Sequence, residues 1–136
     1  MKLITATGFN NSIGLNGGLP WKCREDLQHF KRMTLGCKLL VGRKTFETLP
    51  PLKDRELIVV GTGHFTLEEA LSKNPDWVIG GASLYKSTMH LCEEIHISHI
   101  KDFTIGDTFF ELIPGEYSVH HYYFESDCVK LLHGRT

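Results

Sequence analysis

An α/β fold is predicted, with a mostly parallel central sheet flanked by helices on both faces and a C-terminal antiparallel hairpin. Three observations on the 136-residue chain carry this. Short β-rich runs alternate with short helical stretches up to about residue 100, which implies βα units and a doubly covered parallel sheet. Beyond that point two strand-like runs follow one another around a polar turn. Repeats, low-complexity segments and linkers are absent from the sequence, so residues 1–136 are expected to close as one domain.

The strands are expected at residues 3–7, 38–41, 56–60, 77–79 and 95–100, where apolar and β-branched residues cluster. Helices are expected at about 25–33, 44–49, 67–72 and 83–90. The third opens on a capping box, in which Thr66 can accept from the backbone three residues on while Glu69 reaches back. The closing hairpin is expected from residues 116–124 and 128–133, joined by Glu125, Ser126 and Asp127.

Composition narrows the function. With 41% hydrophobic and 23% charged residues the chain can bury one core. Its 15 basic and 16 acidic residues leave a formal charge of -1, which gives no general attraction to nucleic acid or to an anionic membrane. An anionic ligand must therefore be caught by a local cluster. Cys23, Cys37, Cys92 and Cys128 form no CxxC pair, and the start of the chain shows no charged-then-apolar leader. Free thiols in a reducing cytosol are expected. No apolar run approaches the roughly 20 residues that span a bilayer.

Three segments could carry chemistry. The first, Ile13, Gly14, Leu15, Asn16, Gly17, Gly18, Leu19, Pro20 and Trp21, links the first strand to the first helix, and its three glycines suggest a mobile loop with little side chain to pin it. On the helix that follows, Asp26 and Phe30 are i,i+4 neighbours with Leu27 beside them. A carboxylate sharing a face with apolar groups resists ionisation and becomes useful for proton handling near neutral pH. The alternative is a solvated aspartate complementing the helix dipole.

The second segment, Val41, Gly42, Arg43, Lys44 and Thr45, runs from a strand end into a helix. Backbone N–H groups, dipole and two cations there all favour a phosphate. The third, Val78, Ile79, Gly80, Gly81, Ala82, Ser83, Leu84 and Tyr85, repeats the strand–glycine–helix pattern, although it is not the GxGxxG fingerprint and a lone Gly-Gly is more often an ordinary turn.

Taken in order, these segments resemble the dihydrofolate reductase family. The family pattern of Ile-Gly and Leu-Pro-Trp before an Asp-Leu-x-x-Phe-Lys helix is present as Ile13-Gly14, Leu19-Pro20-Trp21 and Asp26-Leu27 to Phe30-Lys31. Gly42-Arg43-Lys44-Thr45-Phe46-Glu47, Arg55, Ile79-Gly80-Gly81-Ala82 with Tyr85, and Gly106-Asp107-Thr108 follow in sequence. The resemblance implies hydride transfer from C4 of NADPH to C6 of 7,8-dihydrofolate with protonation at N5, giving tetrahydrofolate. It implies that Asp26 grips the pterin and promotes that protonation through ordered water near Trp21, with Ser98, in place of a family threonine, supporting Asp26.

The same resemblance places Ile4, Thr5, Leu27, Phe30, Leu49, Leu52 and Ile79 around the substrate, and puts Arg55 on the folate α-carboxylate. For the cofactor it implies Ala6, the lid residues Ile13, Gly14, Asn16, Gly17, Gly18 and Leu19, the phosphate-holding Arg43, Lys44 and Thr45, Gly61 and Thr62, and the stretch from Gly80 to Tyr85, with Gly80-Gly81 as a cis peptide. A cytosolic monomer is expected.

The chain departs from the family where only residues 61–65 separate the strand at 56–60 from the Thr66 cap. Typical members carry a longer loop and an extra strand there, along the adenosine half of the cofactor. With Ser83 where some bacterial members have arginine, preference for NADPH over NADH rests chiefly on Arg43, helped by Lys44 or His64. Two other readings stay open on sequence: a pyrimidinone reductase of the same fold, and a folate-binding protein without turnover. Eight histidines invite a metal reading, but His96 and His99 are an odd number apart on a strand and point to opposite faces, as do His120 and His121. No metal site is expected.

Overall fold

The computed structural model describes residues 1–133. In chain order its elements are β1 (Lys2–Thr7), β2 (Ser12–Gly14), α1 (Arg24–Thr34), β3 (Lys38–Gly42), α2 (Arg43–Thr48), β4 (Glu56–Val60), α3 (Leu67–Leu71), β5 (Trp77–Val78), α4 (Ala82–Thr88), β6 (Glu94–Lys101), β7 (Thr108–Phe109), β8 (Ser118–Glu125) and α5 (Asp127–His133). The six longer-range strands form one sheet in the order β4-β3-β5-β1-β6-β8, and each of its pairings is parallel.

Side chains alternate across a strand, so neighbours in sequence enter different layers. Leu3, Leu40, Ile58, Val78, Ile95 and Ile97 pack against Ala70 of α3 and against Leu84, Tyr85 and Met89 in and after α4. Ile4, Leu39, Leu57 and Trp77 pack on the other face, against Phe30 and Met33 of α1. Helices therefore cover both faces, as the alternation predicts. Fully buried residues such as Leu3, Leu39, Leu40 and Ile95 each contribute about 1.5–3 kcal/mol relative to exposure. The capping box of α3 is formed: Glu69 N–H donates to Thr66 Oγ1 at 3.2 Å and Thr66 N–H to Glu69 Oε1 at 3.0 Å.

The C-terminal hairpin is not built from the residues predicted for it. β8 lies parallel to β6, and residues 127–133 form a helix. Ser126 caps that helix by accepting from Val129 N–H at 3.3 Å, which satisfies an orphan amide that a strand would not present. Antiparallel pairing is found instead between β2 and β7.

Helix α5 braces the start of α1. Cys23, the residue before α1, offers no side-chain cap, and the Arg24 N–H donates to Asp127 Oδ1 at 3.0 Å. An ion pair between Lys130 and Glu25 adds a second tie.

Candidate active site

Asp26 sits in the first turn of α1, where the helix dipole favours an anion, yet it is only 8% exposed. Burial wins: it pushes the Asp26 carboxyl above the ordinary carboxylate range, and a hydrogen bond from Ser98 pulls it partly back. Ser98 lies on β6, buried, opposite Ala6 of β1 and Tyr122 of β8. Trp21 is buried before the helix with Cys23 and Ile100, and Ala6 packs against them. Tyr85 reaches toward Asp26 from α4. Its hydroxyl donates to the Ile4 carbonyl at 2.8 Å and pairs with Thr5, and burial together with the Asp26 charge raises its pKa.

The predicted apolar wall comes together in part. Ile4, Phe30, Leu52 and Ile79 share one cluster. Leu27 is exposed beside Asp26, and Leu49 is half-buried at the end of α2, outside that cluster. Arg55 is held near the far end of α1. Its Nε donates to the Lys53 carbonyl at 3.0 Å, and its guanidinium lies 6.0 Å from the Phe30 ring centre.

Two helix starts lie side by side on the other flank. The Gly42 N–H donates to the Gly80 carbonyl at 2.8 Å, which locks the entry to α2 against the entry to α4. Gly42 and Gly81 have no side chain to cap the first amides of the two helices, which leaves those amides to other partners. The peptide between Gly80 and Gly81 is cis, and a Cβ on Gly81 would meet Thr45 Oγ1 at 3.0 Å. This glycine-lined cradle with paired helix N-termini suits a pyrophosphate. Lys44 and Ser83 are exposed beside it, whereas the Leu84 side chain turns into the core and leaves only its backbone for a ligand.

A sequence profile of dihydrofolate reductase matches residues 1–127. The chain belongs to the dihydrofolate reductase family. A dihydrofolate reductase type 5 of Escherichia coli is 34% identical over 88% of this chain and 86% of its own length. The Haemophilus influenzae dihydrofolate reductase is 34% identical over 84% and 80%. In structure the chain resembles the Enterococcus faecalis dihydrofolate reductase complexed with NADP(H) and RAB-propyl, with a TM-score of 0.73, 32% identity and coverage of 82% of this chain and 77% of that one.

The short turn of residues 61–65 closes tightly, with His64 N–H on the Gly61 carbonyl at 2.9 Å and Thr62 exposed. Arg43 lies against Gly61, where a Cβ would stand 2.8 Å from the arginine Cβ, and His64 meets Phe46 edge-on at 5.7 Å. Arg43 Nη1 pairs with Glu47 Oε1 at 3.0 Å. An exposed i,i+4 pair of this kind is worth about 0.3–0.5 kcal/mol, so a phosphate can displace it cheaply. Arg43→Ala is expected to raise KM for NADPH on the order of tenfold and KM for NADH by clearly less, because NADH lacks the 2′-phosphate, read from initial rates with each cofactor.

The glycine-rich segment differs from the expectation of a loop with little to pin it. Leu15 and Gly18 exchange backbone hydrogen bonds at 2.9 and 3.0 Å around Asn16 and Gly17, whose φ values of 50° and 83° make a tight hairpin turn. Asp107, which sequence reasoning left out of the site, holds it. Its N–H donates to the Gly14 carbonyl at 2.8 Å and its Oδ2 accepts from the Asn16 N–H at 2.9 Å. Gly106 permits that approach, because a Cβ there would lie 2.6 Å from both the Gly14 oxygen and Ser12 Cβ. Gly106→Ala is expected to part β2 from β7, lower Tm by a few degrees and lower kcat on the order of tenfold at temperatures where the chain stays folded, in thermal melts and steady-state kinetics. An unchanged kcat would show that the latch has no part in turnover.

Proposed function

We propose that the chain reduces 7,8-dihydrofolate to tetrahydrofolate as a single-domain cytosolic monomer, with Asp26 as its catalytic carboxylate. The observation that carries this is Asp26 itself: buried, raised in pKa, hydrogen-bonded by Ser98 and one helical turn before Phe30, which packs in the cluster with Ile4, Leu52 and Ile79. A pterin is flat, apolar on its faces and rich in N–H donors on one edge. The cluster takes the faces and Asp26 takes the donors. A carboxyl of raised pKa keeps a proton available where the ring nitrogen N5 needs one, and Trp21 helps to exclude bulk water around it.

NADPH, when bound, supplies the hydride that passes from its C4 to C6 of the pterin. The chain holds it: the starts of α2 and α4, with Arg43, Lys44, Thr45 and residues 80–85, grip the phosphates, while Ala6, Gly61 and Thr62 border it. The hairpin from Ile13 through Gly14, Asn16, Gly17 and Gly18 to Leu19 closes over the nicotinamide. Arg55 takes the folate α-carboxylate, with Leu27 and Leu49 along the tail.

The cysteines fit a reducing compartment. Burial raises the Cys23 thiol and pushes Cys92 up to about 11, so both are protonated and unreactive at neutral pH. Among the described residues no helix is long and apolar enough to cross a membrane. The test is a spectrophotometric assay of NADPH oxidation with dihydrofolate, run beside NADH. Activity that depends on dihydrofolate and is faster with NADPH is expected, and folded protein with none at saturation would overturn the reading.

A further inference from the structure

Opposite faces within one strand exclude a metal site built from His96 and His99, but the pairing of β6 with β8 creates a set that neither strand contains alone. Glu94 and His96 are two residues apart on β6 and share a face. His120 of β8 stands directly opposite His96 in the register. We propose that Glu94, His96 and His120 bind a divalent ion of the zinc, cobalt or nickel class at this end of the sheet.

The three side chains each bring a donor atom within 4.8 Å of the other two. His96 Nε2 lies 2.9 Å and His120 Nε2 3.6 Å from Glu94 Oε1, and the two imidazoles stack at 4.4 Å with 6° between their planes. Bonds of about 2.0–2.2 Å in a tetrahedral shell put neighbouring donors roughly 3.3–3.6 Å apart, so small side-chain rotations suffice. Two imidazoles and a carboxylate suit zinc-like ions over magnesium or calcium, and three protein ligands leave the fourth position to water.

The surroundings hold His96 for this task. Its Nδ1 pairs with the Tyr122 hydroxyl at 2.9 Å and its ring meets Trp77 edge-on at 5.1 Å. Without an ion, Nε2–H donates to Glu94 and the Tyr122 hydroxyl donates to Nδ1; with an ion on Nε2 the proton moves to Nδ1, and the Tyr122 oxygen accepts from it, which keeps the ring oriented as in most metal-binding histidines. Tyr122 is steadied in turn by the His29 ring at 4.2 Å. Two contacts compete with the ion. Lys2 Nζ lies 3.7 Å from Glu94 Oε2, the carboxylate oxygen the cluster does not use, and Ser118 Oγ lies 3.1 Å from His120 Nε2.

The full chain, titrated with cobalt(II) alone, should show saturable tetrahedral ligand-field bands at one equivalent, displaced by zinc. His120→Ala and Glu94→Gln, both at partly exposed positions, should weaken cobalt binding at least tenfold while circular dichroism stays unchanged. His121→Ala is the control. That residue pairs with His99 Nε2 at 2.7 Å on the other face of the same strands, and its loss should leave binding intact. Absence of saturable cobalt bands, or affinity kept in His120→Ala and lost in His121→Ala, would overturn the proposal.

Discussion

Asp26→Asn is expected to lower kcat/KM for dihydrofolate by about a hundredfold or more at neutral pH, the range of a lost general acid–base group. The amide keeps the shape of the carboxyl and one acceptor for the pterin edge, but it cannot hold a negative charge or pass a proton. The ring nitrogen must then take its proton from solvent, so the residual rate should climb as pH is lowered. The same substitution has an opposite effect on stability. Below the ordinary carboxylate range Asp26 is protonated in both folded and unfolded chains and burial costs little. As pH rises, the unfolded chain ionises first, because burial has raised the folded pKa, and stability is lost until the folded group ionises too. Asparagine removes that loss, so the variant should melt higher than the parent at neutral pH and differ least in acid. A variant with near-parental kcat/KM at neutral pH would remove Asp26 from the chemistry.

That residue was legible because its neighbours in sequence are also its neighbours in space. Trp21, Asp26 and Phe30 lie within one loop and one helix, and the strand–glycine–helix segments fold locally. What was not legible depends on pairing across the chain or on very short runs. Residues 128–133 carry Val129, Leu131 and Leu132, which fit a strand and a helix equally well over so short a run. The deciding signal was Ser126 followed by Asp127, a capping residue and an acidic first turn, which reads as a helix start rather than a hairpin turn. The glycine-rich loop looked unpinned because its anchor, Asp107, lies 91 residues from Asn16. Histidine spacing was weighed within each strand, and only the β6–β8 register places His120 against His96.

Arg55 extends the site beyond local reading in a testable way. Its guanidinium is oriented rather than free: Nε is engaged by the Lys53 carbonyl at 3.0 Å, Nη1 touches Thr34 Oγ1 at 3.5 Å, and Phe30 lies against its face. These contacts leave donors for a carboxylate and reduce the rotamer entropy lost when one binds. A charge-assisted pair of this kind contributes about 1.5–3 kcal/mol, which corresponds to roughly tenfold to a hundredfold in affinity. Arg55→Ala should therefore raise KM for dihydrofolate by that factor. Because the glutamate tail is remote from C6 and N5, the pair is as strong in the ground state as in the transition state, and kcat should change little. A reduced pterin lacking the glutamate tail should be turned over equally by parent and variant. Equal losses with both substrates would mean that Arg55 shapes the pocket through Phe30 instead of binding the carboxylate.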